Sequence, residues 1–174
     1  MRNKSLIKTT YTAIFTAIIL LSTMLITFST GLGEGYIHFG DCFIYLTACV
    51  LPFPYCLVAS ALGGALADIL GGYAIWAIPT AIIKMLIALP FFLACKNKNA
   101  SKILNKKTAL MPIISGLITI LGYFVAECIL YSVASATLSL IGNTIQAVAS
   151  GILFYIVATA LDKINFKSKI SKGV

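Results

Sequence analysis

Charge is what this 174-residue chain has least of: Asp, Glu, Lys and Arg together make up 10% of it, with five acids and one histidine. Soluble domains carry about 25% charged residues, so a water-soluble domain is excluded. One histidine, and no C-x-x-C among five cysteines, leave no closely spaced ligand set for zinc. Cys42, Cys49, Cys56, Cys95 and Cys128 lie in or beside apolar stretches and read as small buried hydrophobes. No P-loop is present, so any nucleotide hydrolysis belongs to another chain. Gly-x-Ser-x-Gly and His-Glu-x-x-His are also missing, and with them the usual signatures of serine and zinc hydrolases.

What the chain has instead is apolar length. Its content is 60% hydrophobic and its mean hydropathy is +1.00. Uncharged runs of about 20 residues recur, the length that crosses about 30 Å of hydrocarbon. Six spans are predicted, at about 9–28, 41–51, 55–70, 73–95, 110–131 and 140–161, all within one membrane domain over 1–174. Pro52-Phe53-Pro54 separates the second from the third, because proline lacks an amide donor and biases its predecessor away from helix. Gly71-Gly72 breaks the chain before the fourth. The second and third spans are short for full crossings, which implies tilt or uneven depth. The first span has a basic prefix like a signal peptide, but it is longer than a typical h-region and no A-x-A site closes it. It reads as a retained helix, and the fold class as all-α integral membrane.

Twelve of the thirteen positive charges fall in three clusters: Arg2, Lys4, Lys8; Lys96, Lys98, Lys102, Lys106, Lys107; and Lys163, Lys167, Lys169, Lys172. The net charge of +8 therefore sits in short segments flanking apolar spans. That is the positive-inside pattern rather than a nucleic-acid patch. It places both termini and the 96–107 loop in the cytoplasm, which an even number of spans satisfies. Segments 29–40, 71–73 and 132–139 then face outward.

The thirteenth cation, Lys84, lies about ten residues below the Gly71-Gly72 turn, roughly 15 Å and near the midplane. A lysine at that depth costs about 2.5–3.5 kcal/mol on insertion scales and calls for a partner. Asp68 and Glu127, both in the outer half, are the expected partners. Lys84 is then either a structural ion pair or a charge that meets a ligand.

The outer segment from Gly31 to Asp41 is glycine-rich and carries Glu34, Tyr36, His38 and Asp41. It suits close approach to a ligand, while Asp41 equally suits a helix cap and a lone His38 a structural hydrogen bond. The stretch from Ala67 to Lys84 is the densest. It holds Asp68, the glycine turn, Tyr73 and Trp76 as aromatic surface, and Pro79, which is expected to free a carbonyl within the fourth span. An interfacial aromatic belt would explain Tyr73 and Trp76 but not Lys84 beside them. Asn143 and Gln146 add amides to the last span, suited to a heterocycle or to helix association. Ala13 and Ala17 place two small side chains on one face of the first helix.

Together, Ala-x-x-x-Ala at 13–17, Gly40-Asp41, Ala67-Asp68-x-x-x-Gly72-Tyr73 and Pro79-Thr80-x-x-x-Lys84 make the chain similar to the S components of energy-coupling factor (ECF) vitamin transporters. The similarity covers about 9–161 and is nearest to the branch for hydroxymethylpyrimidine and related thiamin precursors. It implies a multi-pass protein of a prokaryotic cytoplasmic membrane, without enzymatic activity or cofactor, that captures a vitamin or precursor in an outward-facing pocket. It further implies a transmembrane coupling protein and two ATPase subunits as partners, with Ala13 and Ala17 as the docking face. Glu34, Tyr36, His38, Asp41, Asp68, Tyr73, Trp76, Lys84, Glu127, Asn143 and Gln146 are the candidate substrate-binding residues. Pyridoxine-like vitamers and queuosine precursors are alternative ligands.

Two other classes compete. An intramembrane aspartyl protease would pair Asp41 with Asp68, but position 38 is histidine where that pattern wants glycine, and no tyrosine precedes Asp68. A self-sufficient secondary transporter or channel often shows internal repeats with paired broken helices, and the last three spans do not repeat the first three.

Overall fold

Of the six apolar stretches, the shortest sits at the centre. In the computed structural model, which describes residues 4–25, 27–29, 36–95 and 102–171, helix α2 (Gly40–Val50) buries ten of its eleven residues. It packs against α1 (Lys4–Leu25), α3 (Tyr55–Leu70), α4 (Ala77–Cys95) and α6 (Val133–Lys163). A helix that is apolar all round and too short to span lipid gains most when other helices surround it. Tyr45 stacks on Phe91 with ring centroids 4.4 Å apart and meets Phe154 edge-on at 6.0 Å, joining α2, α4 and α6 in the core.

Among the described residues, four helices are long and apolar enough to cross a membrane. They are 4–25, 74–95 (α4 with the 3₁₀ turn Ala74–Trp76 before it), 108–130 (α5, Met111–Leu130, with its own leading 3₁₀ turn) and 133–163. Their outward faces carry exposed side chains such as Ile78, Leu93, Leu121 and Ile129, as expected of surfaces that lipid covers. Two glycines let α3 lie close to both neighbours. A Cβ at Gly63 would stand 2.6 Å from Ile19 Cγ2 on α1, and one at Gly64 would stand 2.7 Å from Lys84 Cγ on α4. Small residues permit such approaches, and dispersion then holds the helices.

Three expectations need correction. The last helix starts at Val133 rather than near 140, so 132–139 is not an outer loop. Ser132 caps it by accepting from the Ser135 amide at 3.2 Å, and its serine-rich first turns had the polarity of a loop. The first helix spans Lys4–Leu25 rather than 9–28. Thr9, Thr10 and Thr12 bond back to carbonyls four residues earlier, and 27–29 forms strand β1, antiparallel to β2 (Tyr36–His38). Pro79 frees no carbonyl, because it stands in the first turn of α4, where no intrahelical donor is required. The interior proline is Pro90, and in the turn before it Ser115 donates to the Ile87 carbonyl at 2.8 Å.

The bundle has two chemically different ends. At one, Lys8 lies over the Tyr55 ring at 5.9 Å, and Asp162 accepts the amides of Ile103 and Leu104 at 2.6 and 2.9 Å. This gathers the start of the first helix, residues 102–107 and the short α7 (Phe166–Ser171) on one side. Toward the other end lie Asp68, Glu127 and the β-hairpin.

Gly64→Ala is expected to lower stability by about 1–3 kcal/mol, because its Cβ meets the lysine stem rather than a mobile side-chain tip. A thermal melt of the detergent-solubilised protein checks this. An unchanged melting temperature would show that α3 and α4 have room to separate.

Candidate functional site

Because α2 is central, its first turn opens inside the bundle, and Asp41 sits there fully buried. A carboxylate at a helix N-terminus faces the positive end of the dipole. It also receives Lys84: Nζ and Oδ1 are 2.6 Å apart, with side-chain exposures of 1% and 0%. Gln146 Nε2 donates to the other oxygen at 3.0 Å, so both carboxylate oxygens are engaged. The partner of Lys84 is therefore Asp41, not Asp68 or Glu127. Asp41 caps no amide either; its side chain is committed to α4 and α6. Among the described residues this is the only ion pair.

His38 belongs to the same cluster. Its Nδ1 accepts the Gly40 amide at 3.1 Å, so a neutral ring carries its proton on Nε2. That nitrogen lies 3.5 Å from Lys84 Nζ. Two donors then face each other, and the approach is a packing contact rather than a hydrogen bond. Lys84 Nζ also stands 5.2 Å from the centroid of the Tyr123 ring, within cation–π range.

Above this cluster is a cavity of about 60 Å³. Its walls come from five parts of the chain. β2 supplies His38, α3 supplies Asp68, and α4 with the turn leading into it supplies Tyr73, Trp76 and Thr80. Tyr123 and Glu127 come from α5, and Ser139, Asn143 and Gln146 from α6. Trp76 packs with Tyr123 and Tyr131 at ring separations of 6.0 and 5.9 Å. Tyr123 donates to Thr80 at 3.3 Å. Glu127 Oε1 accepts from the hydroxyls of Ser135 and Ser139, each at 2.8 Å. An aromatic wall with a few placed polar groups is the usual make-up of a small-molecule site. A larger groove of about 340 Å³ between α5 and α6 is lined almost entirely by apolar side chains such as Leu117 and Ile152, and it offers little to orient a polar ligand.

Seven sequence-chosen residues thus meet around one cavity: His38, Asp68, Tyr73, Trp76, Glu127, Asn143 and Gln146. Asp41 and Lys84 lie beneath it as a pair and do not line it. Glu34 and the side chain of Tyr36 lie outside the described residues. Ala13 and Ala17 are exposed on α1. Sequence reasoning missed Thr80, Tyr123, Ser135 and Ser139, although helical spacing held the signal. Positions 76, 80 and 84, 123 and 127, and 135, 139 and 143 each repeat at four residues and so share a face. Among the described residues no group of three or more His, Cys, Asp or Glu is placed to hold a metal ion.

Apolar helices around one polar, aromatic-walled cavity define a membrane protein built to hold a small molecule. The family model for the S component of ECF-type riboflavin transporters matches residues 3–163, and the chain belongs to that family. It is therefore a transmembrane component of vitamin uptake. S components bind a small-molecule vitamin and pair with subunits of the ECF energy-coupling module, which places the chain among transport proteins. A protein of Pyrococcus woesei, described as an uncharacterised protein in the gap 3' region, is 31% identical over 135 residues, covering 76% of this chain and 86% of the relative.

Breaking the buried pair from one side is expected to cost more than removing it whole. Asp41→Leu or Lys84→Met should each destabilise by about 3–5 kcal/mol, while the two substitutions combined recover most of that loss. Denaturation of the three variants checks it. Additive losses would show that the two groups are stabilised separately.

Proposed function

We propose that the chain is the substrate-capture subunit of an ATP-driven ECF importer in a prokaryotic cytoplasmic membrane, taking a small aromatic-ring vitamin or precursor into the cavity beside Trp76. The observation that carries this reading is the joining of an aromatic wall to carboxyl and amide groups inside a bundle of that family. Both termini face the cytoplasm and six helices traverse the bilayer, α2 and α3 at uneven depth. The basic end of the bundle supports this orientation through the positive-inside rule, and the cavity then opens outward. Ala13 and Ala17 form the small-residue face that docks on the transmembrane coupling protein, and two ATPase subunits supply the energy.

Hydroxymethylpyrimidine or a thiamin-related ring is the first-choice ligand, with pyridoxine-like vitamers and queuosine precursors next. Riboflavin is the second reading, favoured by the name of the matched family. The site residues in this proposal are His38, Asp68, Tyr73, Trp76, Glu127, Asn143 and Gln146, with Glu34 and Tyr36 on the outer segment. Asp41 and Lys84 hold the floor.

Uptake by cells or proteoliposomes separates this reading from a self-sufficient transporter. With the coupling protein and ATPases present, labelled ligand accumulates on ATP addition; with the chain alone, none does. Ala13→Trp with Ala17→Trp should abolish uptake and leave ligand binding within about twofold, since exposed sites away from the cavity perturb it little. Gradient-driven uptake by the lone chain would overturn the assignment.

A further inference from the structure

The hydrogen-bonding sense of the cavity narrows its ligand further, on the reading that this cavity is the capture site. The cation beneath the cavity is already held: Lys84 meets Asp41 at 2.6 Å. Gln146 turns its amide nitrogen to Asp41, because a carboxylate only accepts. Its Oε1 is left on the cavity side, with no hydrogen bond among the described residues. Glu127 is presented in the same manner. Ser135 and Ser139 both donate to Oε1, and Oε2 takes no hydrogen bond among the described residues. The carboxyl group of Asp68 adds a third acceptor-bearing side chain to the lining. The donor-bearing side chains of the lining are Tyr73, Trp76, Thr80 and Asn143, which face the cavity from other parts of its wall.

The geometry points to a ligand that offers donors on two edges, one toward α5 at Glu127 and one toward α6 at Gln146: an amino-substituted, uncharged or cationic nitrogen heterocycle of one ring or a compact fused pair. Glu127 is the specificity-determining residue, and Ser135 and Ser139 position it. A carboxylate- or phosphate-bearing ligand would bring its charge against Glu127 and Asp68 with no lysine or arginine in the lining to meet it, a costly arrangement away from water. A flavin fits poorly as well. Its single ring N–H lies between two carbonyl acceptors, which would oppose the acceptors of Glu127 and Gln146. Among the proposed ligands, aminopyrimidines and aminated deazapurines rank above pyridoxine, which presents hydroxyls in place of a ring amine, and above riboflavin.

The chain has one tryptophan, so quenching of Trp76 fluorescence reports occupancy of this cavity. The purified protein in lipid nanodiscs is titrated with a hydroxymethyl aminopyrimidine, its analogue with hydroxyl in place of the amine, riboflavin and a phosphorylated pyridine vitamer. The aminopyrimidine should quench and bind at least tenfold more tightly than the other three. Glu127→Gln should weaken it by about ten- to hundredfold, the effect of one hydrogen bond to an ionisable partner, and should erase the preference for the amine. Ser139→Ala, which leaves the carboxyl group in place, should weaken it less and supplies the test if Glu127→Gln does not fold. Riboflavin or the phosphorylated vitamer binding as tightly as the aminopyrimidine would overturn the acceptor rule, and so would an amine preference that survives both variants. In either case Trp76 quenching still upholds the capture site itself. ATP-driven uptake of the aminopyrimidine without any change in Trp76 emission would instead place capture elsewhere and overturn both readings.

Discussion

An ammonium group held as deep in a helical bundle as Lys84 stays charged only when a counter-charge is buried with it. Asp41 is that counter-charge, and much of the architecture follows from bringing the two together. Asp41 reaches the site because α2 is short enough to begin inside the bundle. Lys84 reaches it because Gly64 removes the side chain that would block its stem. Gln146 then ties α6 to the same carboxylate. Three helices and the β2 segment meet at one point, and the cavity opens directly above it.

This arrangement separates support from recognition. The ion pair is satisfied within the protein, so it orders the floor without demanding an anion from the ligand. In the proposed capture site, recognition belongs to groups higher up: Trp76 with its neighbouring tyrosines, the carboxyl groups of Asp68 and Glu127, and the amides of α6. The two serines on Glu127 belong to the same design, because a carboxyl group held from one oxygen presents the other in a fixed direction. The length of α6 makes that hold possible. At 31 residues, about 46 Å, it carries Ser135 and Ser139 beyond the reach of a minimal span.

The sequence made the class of protein and the identity of most cavity residues legible. Charge segregation marked the basic end, and scarcity marked Lys84, Asp68 and Glu127 as exceptional. The partner of Lys84 was not legible, because depth along separate spans says nothing about which helix lies at the centre. Asp41 is 43 positions from Lys84 and suited a cap on a short second span; only the burial of α2 on all sides brings the two together. Ser135 and Ser139 were lost for a different reason. Serines at a helix start resemble loop residues, and the cap at Ser132 that makes them helical is a single hydrogen bond. Thr80 and Tyr123 were overlooked although their four-residue spacing to Lys84 and Glu127 put them on the same faces.

The account comes down to what occupies the cavity beside Trp76. Mass spectrometry of small molecules released from the freshly purified, detergent-solubilised protein tests this most directly. The account predicts one compact aminated heterocycle, released in near-equimolar amount and absent from a Trp76→Ala preparation. A flavin, a phosphorylated compound or a peptide in its place would contradict it.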